Sequence, residues 1–210
     1  MPQTGDATAG KLVAAGLKLF GRHGFAATGT RALAAEAGTN VASISYHFGS
    51  KAGLRDACAR AVTERIASVI GGQDLPLPDS RAAAVARLDE ALRSFAMFLA
   101  AAPGADDLVA FVLRELTVPG EALDLVYERL LEPRHREFCA LWGMATGQDP
   151  EDPRVRLAVF AMIGQVVYFR IGHAIVARRM GWSAMGRAEA EQIADTVSDH
   201  LKAALERSVS

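Results

Sequence analysis

An all-α fold is the class this sequence predicts: a compact trio of short helices near the N-terminus, then a larger helical body. Three observations lead there. Apolar residues recur at helical spacing nearly throughout, and no segment alternates as a half-buried strand does. Alanine is abundant and the eight prolines gather at a few places, which favours helix over sheet. Glycines and capping residues divide the first 50 residues into pieces the length of short helices.

Each element has its own signals. A first helix is expected over about 8–23, with Val13, Leu17 and Phe20 on one face and Gly24 suited to a left-handed cap. A second covers about 30–37, with Thr30 as its N-cap and Gly38 as its stop. A third covers about 41–47, capped by Thr39 or Asn40 and ended by Gly49. Ser50 caps a fourth over about 51–71, ended by the glycine pair 71–72, and "QDLPLPDS" at 73–80 is a linker. The body then holds helices at about 80–102, 105–117 and 121–146. Pro119 separates the last two, and Pro133 breaks or kinks the third. "GQDPEDP" is a turn whose Asp152–Pro153 pair opens a long helix over about 153–180, and a last helix runs about 187–206. The domain boundaries read from this pattern are 1–56 for the trio, 57–79 for a connecting helix and linker, and 80–210 for the body.

Composition narrows the function. Of 210 residues, half are hydrophobic and 22% charged, as in an ordinary soluble protein with ample length for a core. No run of about 18 uncharged apolar residues occurs, and the N-terminus lacks the pattern of a signal peptide, so a cytoplasmic protein without a membrane span is expected. Cys58 and Cys139 stand far apart and read as small core residues in a reducing compartment, with reactive thiols as the alternative. The net charge of −1 conceals a split: residues 1–60 carry seven basic and three acidic groups, a net +4, and the rest is −5. A basic head suits an anionic partner.

"GTNVASISYHFGSKAGL" at 38–54 identifies that partner. Two short helices joined at Gly38 make a helix-turn-helix. Leu33, Ala34 and Ala37 can face inward from the second helix, and Ile44 and Phe48 from the third. Ala42, Ser43, Tyr46 and His47 are then turned outward, with Val41 and Ser45 on the flanks. Small residues let a helix sit deep in the major groove, and hydroxyls reach base edges or phosphates. Tyr46, His47 and Lys51 are donors suited to backbone oxygens, and Arg31 can reach a base or a phosphate.

"TRALAAEAGTNVASISYHFGSKAGL", with "LKLFGRHGFAAT" before it, resembles the DNA-binding segment of the TetR family of bacterial regulators over roughly residues 8–56. The resemblance implies a homodimeric, all-helical transcriptional regulator, usually a repressor released by a small-molecule effector. It places Thr30 and Arg31 at the start of the bracing helix, and Val41, Ala42, Ser43, Ser45 and Tyr46 at base-facing positions. Tyr46, His47 and Lys51 match phosphate contacts, and the caps Thr39 and Asn40 complete the candidate set. "VLRELTVPGEAL", "WGMATG" and "GQVVYFRIGHAIVARRMGW" resemble the CecR-like C-terminal domain, whose family members repress efflux and stress genes.

Other chemistries fit less well. Ser43 and His47 share a helix face, but no acidic third member is well placed and no G-x-S-x-G elbow occurs, so no enzyme is expected. His135, Glu137 and Cys139 look like metal ligands on paper, but 137 lies off the face shared by 135 and 139. A solvated histidine and a buried cysteine are the expectation, with no metal or cofactor. In the body, Phe95, Phe98, Phe111, Tyr127, Phe138, Trp142, Tyr168 and Phe169 are core residues of which a subset can line an effector cavity. Arg114, Glu115, Gln165, Arg170 and His173 are the polar candidates, and an Arg114 or Arg170 ion pair with Glu115 is the packing alternative. Small residues at 158, 161, 164, 172, 174 and 177 permit close helix approach, so helices 153–180 and 187–206, with Ile193, Val197, Leu201 and Leu205, are expected to form a two-fold four-helix interface. The remaining class is a helical protein-interaction module without sequence-specific DNA binding, whose affinity would lack the steep salt dependence of phosphate contacts.

Overall fold

The computed structural model describes residues 4–70, 76–102, 104–117 and 121–209. Among them lie α1 (Thr4–His23), α2 (Thr30–Glu36), α3 (Ala42–Phe48), α4 (Lys51–Val69), α5 (Arg81–Ala101) and α6 (Ala105–Thr117). They are followed by α7 (Glu121–Val126), α8 (Glu132–Thr146), α9 (Pro153–Ile171), α10 (His173–Met180) and α11 (Arg187–Val209). The described residues contain no strand, and no single helix among them is long and apolar enough to cross a membrane. The glycine pair 71–72, Pro119 and residues 73–75 of the 73–80 linker lie outside the described residues.

Two compact units emerge, one from Met1–Arg65 with Asp106–Arg129, the other from Ile66–Ala105 with Leu130–Ser210. Residues 106–129, which the sequence reading places in the body, therefore group with the N-terminal helices. The first unit has Leu12 and Phe20 of α1, Leu33 and Ala34 of α2, Ile44 of α3, Leu54, Cys58 and Val62 of α4, and Phe111 of α6 in its core. α1 and α6 approach closely: a Cβ at Gly21 would stand 2.9 Å from the Phe111 backbone nitrogen.

In the second unit α11 lies along α5, which also packs against α8 and α9. Leu88, Leu92 and Leu99 of α5 are buried, as are Ile193, Val197, Leu201 and Leu205 of α11. Those four α11 residues therefore pack inside their own unit and are not left for a partner, because each buried aliphatic side chain contributes about 1.5–3 kcal/mol where it is. Polar links follow the same seams. Arg93 reaches Asp195 at 2.7 Å, Ser198 donates to Asp89, and Glu137 accepts from Arg87 and Arg134.

Caps explain most boundaries. The Ser80 hydroxyl accepts from the Ala83 N–H at 3.2 Å, the Ser50 hydroxyl from Gly53 at 3.0 Å, and the Asp152 carboxylate from Arg154 at 2.7 Å. Three expectations need correction. Thr30 does not cap α2: Gly29 holds that position and Thr30 is the first helical residue. The 121–146 helix is not continuous, since a π-helical turn at Tyr127–Leu131 separates α7 from α8. It sits just before Pro133, whose missing N–H cannot bond the carbonyl four residues back. The 153–180 helix also divides, at Gly172, with a bend of 76° between α9 and α10.

α3 and α4 meet at Gly53, where any Cβ would collide with the Phe48 carbonyl oxygen. A backbone atom cannot swing aside, so Gly53→Ala is expected to destabilise the protein by about 1–3 kcal/mol, read as a lower urea midpoint at unchanged slope. An unaltered midpoint contradicts this packing.

Candidate nucleic-acid interface

α3, the candidate reading helix, has seven residues and is held by its neighbours. Gly38 makes the turn with φ +62°, a left-handed conformation that other residues rarely adopt. Its N–H bonds the Ala35 carbonyl, and Thr39 N–H bonds Ala34, which fixes where α3 begins. Asn40 then caps α3: its side-chain oxygen accepts the Ser43 N–H at 2.9 Å. Ile44 is 1% exposed and is the side chain of α3 that is fully buried. Phe48 is half-buried.

With Ile44 inward, the opposite face is open. Val41, Ala42 and Ser45 are exposed, and Ser43 and His47 are half-buried. Tyr46 is 82% exposed and meets His47 edge-on at 4.9 Å between ring centroids. Arg31 is exposed near the start of α2 and makes no ion pair among the described residues.

Lys51 is more committed than its sequence position implies. Its ammonium donates to the Phe25 carbonyl at 2.9 Å and the Thr28 carbonyl at 3.0 Å. It also stands 4.2 Å from the centre of the Phe25 ring. One N–H of the ammonium remains beyond these two bonds. Arg55 lies on the same ring at 4.9 Å and forms an ion pair with Glu115 of α6. Glu115 is 3% exposed. Its partner is thus Arg55, neither Arg114 nor Arg170; Arg114 instead donates to the Arg22 carbonyl at 3.0 Å. Phe25, Thr28 and Arg55 were not identified in the sequence as parts of the site. The 60-residue gap between Arg55 and Glu115 carries no local signal.

The basic excess of the head is also partly spent. Lys18 pairs with Glu36 at 2.5 Å, Arg22 with Asp107 at 3.6 Å, and Arg55 with Glu115.

The effector candidates are distributed over both units. In the first unit Phe111 and Glu115 are buried, while Arg114 and Tyr127 are exposed. In the second, Phe98, Phe138 and Trp142 are buried, Phe95, Phe169 and Arg170 half-buried, and Gln165, Tyr168 and His173 exposed. Trp142 and Gln165 line a groove of about 320 Å³ with Met162, His200 and Leu201. His200 contacts Gln165 at 2.9 Å there. His135 is not solvated as expected: it contacts the Arg156 carbonyl at 3.0 Å and stacks on Phe160 at 3.9 Å. Glu137 is taken by Arg87 and Arg134.

Comparison with known proteins adds the following. Residues 12–58 match the model for bacterial regulatory proteins of the tetR family. Residues 84–207 match the C-terminal domain of the HTH-type transcriptional dual regulator CecR. CecR of Shigella flexneri is 36% identical over 212 residues, covering 94% of this chain and 91% of its own. A TetR-like transcriptional regulator from Rhodococcus sp. RHA1 superposes with a TM-score of 0.64 at 18% identity, covering 99% of this chain and 97% of its own. AibR, in complex with isovaleryl coenzyme A and operator DNA, superposes with a TM-score of 0.66 at 18% identity, covering 92% and 97%.

Burial pushes the Cys58 thiol up to about 12, with the Glu115 carboxylate adding to it. The folded chain therefore keeps a proton that an unfolded cysteine, near 8.5, releases. That contribution to stability is intact below the unfolded value and is lost as pH rises towards the folded one. In a Cys139→Ala variant, Cys58 should resist a disulfide-exchange thiol reagent at pH 8 until denaturant is added. Rapid labelling of the folded chain would contradict the burial.

Proposed function

The chain belongs to the TetR family of bacterial transcriptional regulators and carries the CecR type of C-terminal domain, and on that premise we propose how its parts divide the work. Residues 1–56 bind DNA, 57–79 connect, and 80–210 supply dimerisation and effector recognition. The observation that carries the reading is the two-sidedness of α3, with Ile44 sealed inside and Tyr46, Ser45, Ala42 and Val41 outside. A cylinder with small side chains on its open side fits a major groove, and its N-terminal residues are the ones that meet base edges. Thr30, Arg31, Thr39, Asn40, Val41, Ala42, Ser43, Ser45, Tyr46, His47 and the remaining N–H of Lys51 form the contact set. A cytoplasmic location follows from that work.

The regulator acts as a homodimer. α9 presents Leu157, Phe160, Tyr168 and Ile171 to solvent, with Leu157 68% and Phe160 58% exposed. Gly164, in their midst, has open space where a side chain would stand. These positions recur at helical spacing and make a continuous apolar stripe of the kind an obligate interface covers. Together with the open side of α11, this stripe supports the two-fold interface through 153–180 and 187–206. Two reading helices then enter successive major grooves about 34 Å apart on a palindromic operator.

Repression is relieved by a small-molecule effector. AibR, seen in complex with isovaleryl coenzyme A and operator DNA, is a neighbour in this fold that takes both kinds of ligand. Arg170, half-buried in an apolar helix, suits an acidic or carbonyl-bearing compound. Within the first unit, the Arg55–Glu115 pair joins α6 to α4. An effector that shifts α6 therefore acts on α4, and a coupling of about 1–3 kcal/mol changes operator affinity 5- to 150-fold.

Tyr46→Ala should weaken operator binding about tenfold or more in a gel shift against the upstream region of the chain's own gene. Its melting temperature should not change, because Tyr46 touches solvent rather than core. Unaltered binding would remove Tyr46 from the interface. The double change Leu157→Asp with Phe160→Asp should yield a monomer in sedimentation at micromolar concentration while helix content is retained. A persisting dimer would place the interface elsewhere.

A further inference from the structure

The hydroxyl of Ser43 is not a free hydroxyl. The Asn40 side-chain oxygen accepts the Ser43 backbone N–H at 2.9 Å, and that bond fixes which end of the amide is oxygen. The same oxygen lies 3.1 Å from the Ser43 hydroxyl. An amide oxygen can only accept, so the proton in that contact comes from Ser43. The Thr39 hydroxyl lies 2.9 Å from Ser43 Oγ. Ser43 has one proton and has already given it to Asn40, so Thr39 is the donor in this second contact. The three contacts are satisfied together by this assignment alone. Ser43 Oγ has thus spent its proton, has received another, and keeps one lone pair.

Ser45, two residues on, provides the contrast. It is exposed, and its hydroxyl makes no hydrogen bond among the described residues, so it can donate or accept as a duplex requires.

We propose that Ser43 is a specificity-determining residue that acts as a hydrogen-bond acceptor only, so that the base it meets in each half-site carries an exocyclic amine. This rests on the reading of α3 as the helix that enters the major groove. In that groove the donors are the N4 amine of cytosine and the N6 amine of adenine, whereas guanine and thymine offer acceptors to the same space. An acceptor facing an acceptor leaves two lone pairs opposed and desolvated, so the relay through Thr39 and Asn40 rejects guanine and thymine as well as welcoming cytosine and adenine. Asn40 and Thr39 act here as positioning residues for that lone pair.

Selection of duplexes from a randomised library by the full-length protein tests the assignment. The wild-type consensus should contain, in each half-site, one position restricted to cytosine or adenine on the contacted strand, with about tenfold discrimination against the other two bases. Which of the two amines is used is read directly from that consensus. Ser43→Ala should lose the restriction at that position and keep the rest of the consensus. Asn40→Gly keeps a competent helix cap but releases the Ser43 proton, so the position should then admit guanine or thymine too. Loss of stability alone would weaken binding to every duplex equally and would not change the base accepted at one position. The proposal is overturned if Ser43→Ala selects the wild-type consensus unchanged, or if Asn40→Gly retains the amine restriction. A wild-type protein that selects no consensus at all defeats the groove reading itself, and this inference with it.

Discussion

A helix of seven residues has too few internal hydrogen bonds to be stable by itself, so what α3 can do depends on how Ile44 is held. That one fully buried side chain sets the rotation of the helix about its own axis. Once Ile44 points inward, residues 42, 45 and 46 must point outward, because successive positions are turned by about 100°. A polar residue at 44 would remove the force that orients the reading face, whatever the outward residues were. The turn at Gly38 and the cap at Asn40 fix the axial position of the helix in the same way that Ile44 fixes its rotation.

Around this helix, the cations of the head divide into two kinds. Lys51 and Arg55 converge on the Phe25 ring, and their polar ends go to backbone carbonyls and to Glu115. Their charge is spent on holding the 25–28 turn, α4 and α6 together. Glu115 is 3% exposed, so removing Arg55 would leave a buried carboxylate without its partner, at a cost of about 3–5 kcal/mol. The +4 of the first 60 residues is therefore a poor measure of what a duplex would meet. If α3 enters a major groove, attraction to DNA would rest on Arg31, the remaining N–H of Lys51 and neutral donors at short range such as Tyr46, which favours fit over bulk electrostatic capture.

The parts of this architecture that were legible in the sequence are those set by local chemistry. Ser50, Ser80 and Asp152 cap the helices they precede because a side-chain oxygen there meets an otherwise unpaired N–H. Leu33, Ala34, Ala37 and Ile44 are inward as helical spacing requires. The opening of a π turn before Pro133 was announced by the proline as a break, but its form was not, since a kink and an inserted residue both accommodate a missing N–H. The partner of Glu115 was misread because ion pairing is decided by tertiary approach. Arg114 is adjacent in sequence and points away, while Arg55 is 60 residues distant and in contact.

The two helices expected at a two-fold interface show why an apolar face is ambiguous in a single sequence. Ile193, Val197, Leu201 and Leu205 have the periodicity of a seam, and they are one, but the seam runs along α5 of the same chain. Residues left uncovered lie on α10, at Ile175 and Met180, and on α9, where Leu157, Phe160, Tyr168 and Ile171 alternate with buried Val155, Val159, Met162 and Val166. α9 is thus apolar on both sides, and its mean pattern hides two faces with different destinations. A helix hydrophobic all round is normally enclosed on every side. Here one side is enclosed by the chain itself, and the energy of leaving the other in water is what a second copy would recover. Gly164 lies on that open side with space above it. The closest approach of a partner backbone is therefore possible at the middle of the stripe, where contact on both flanks can be made at once.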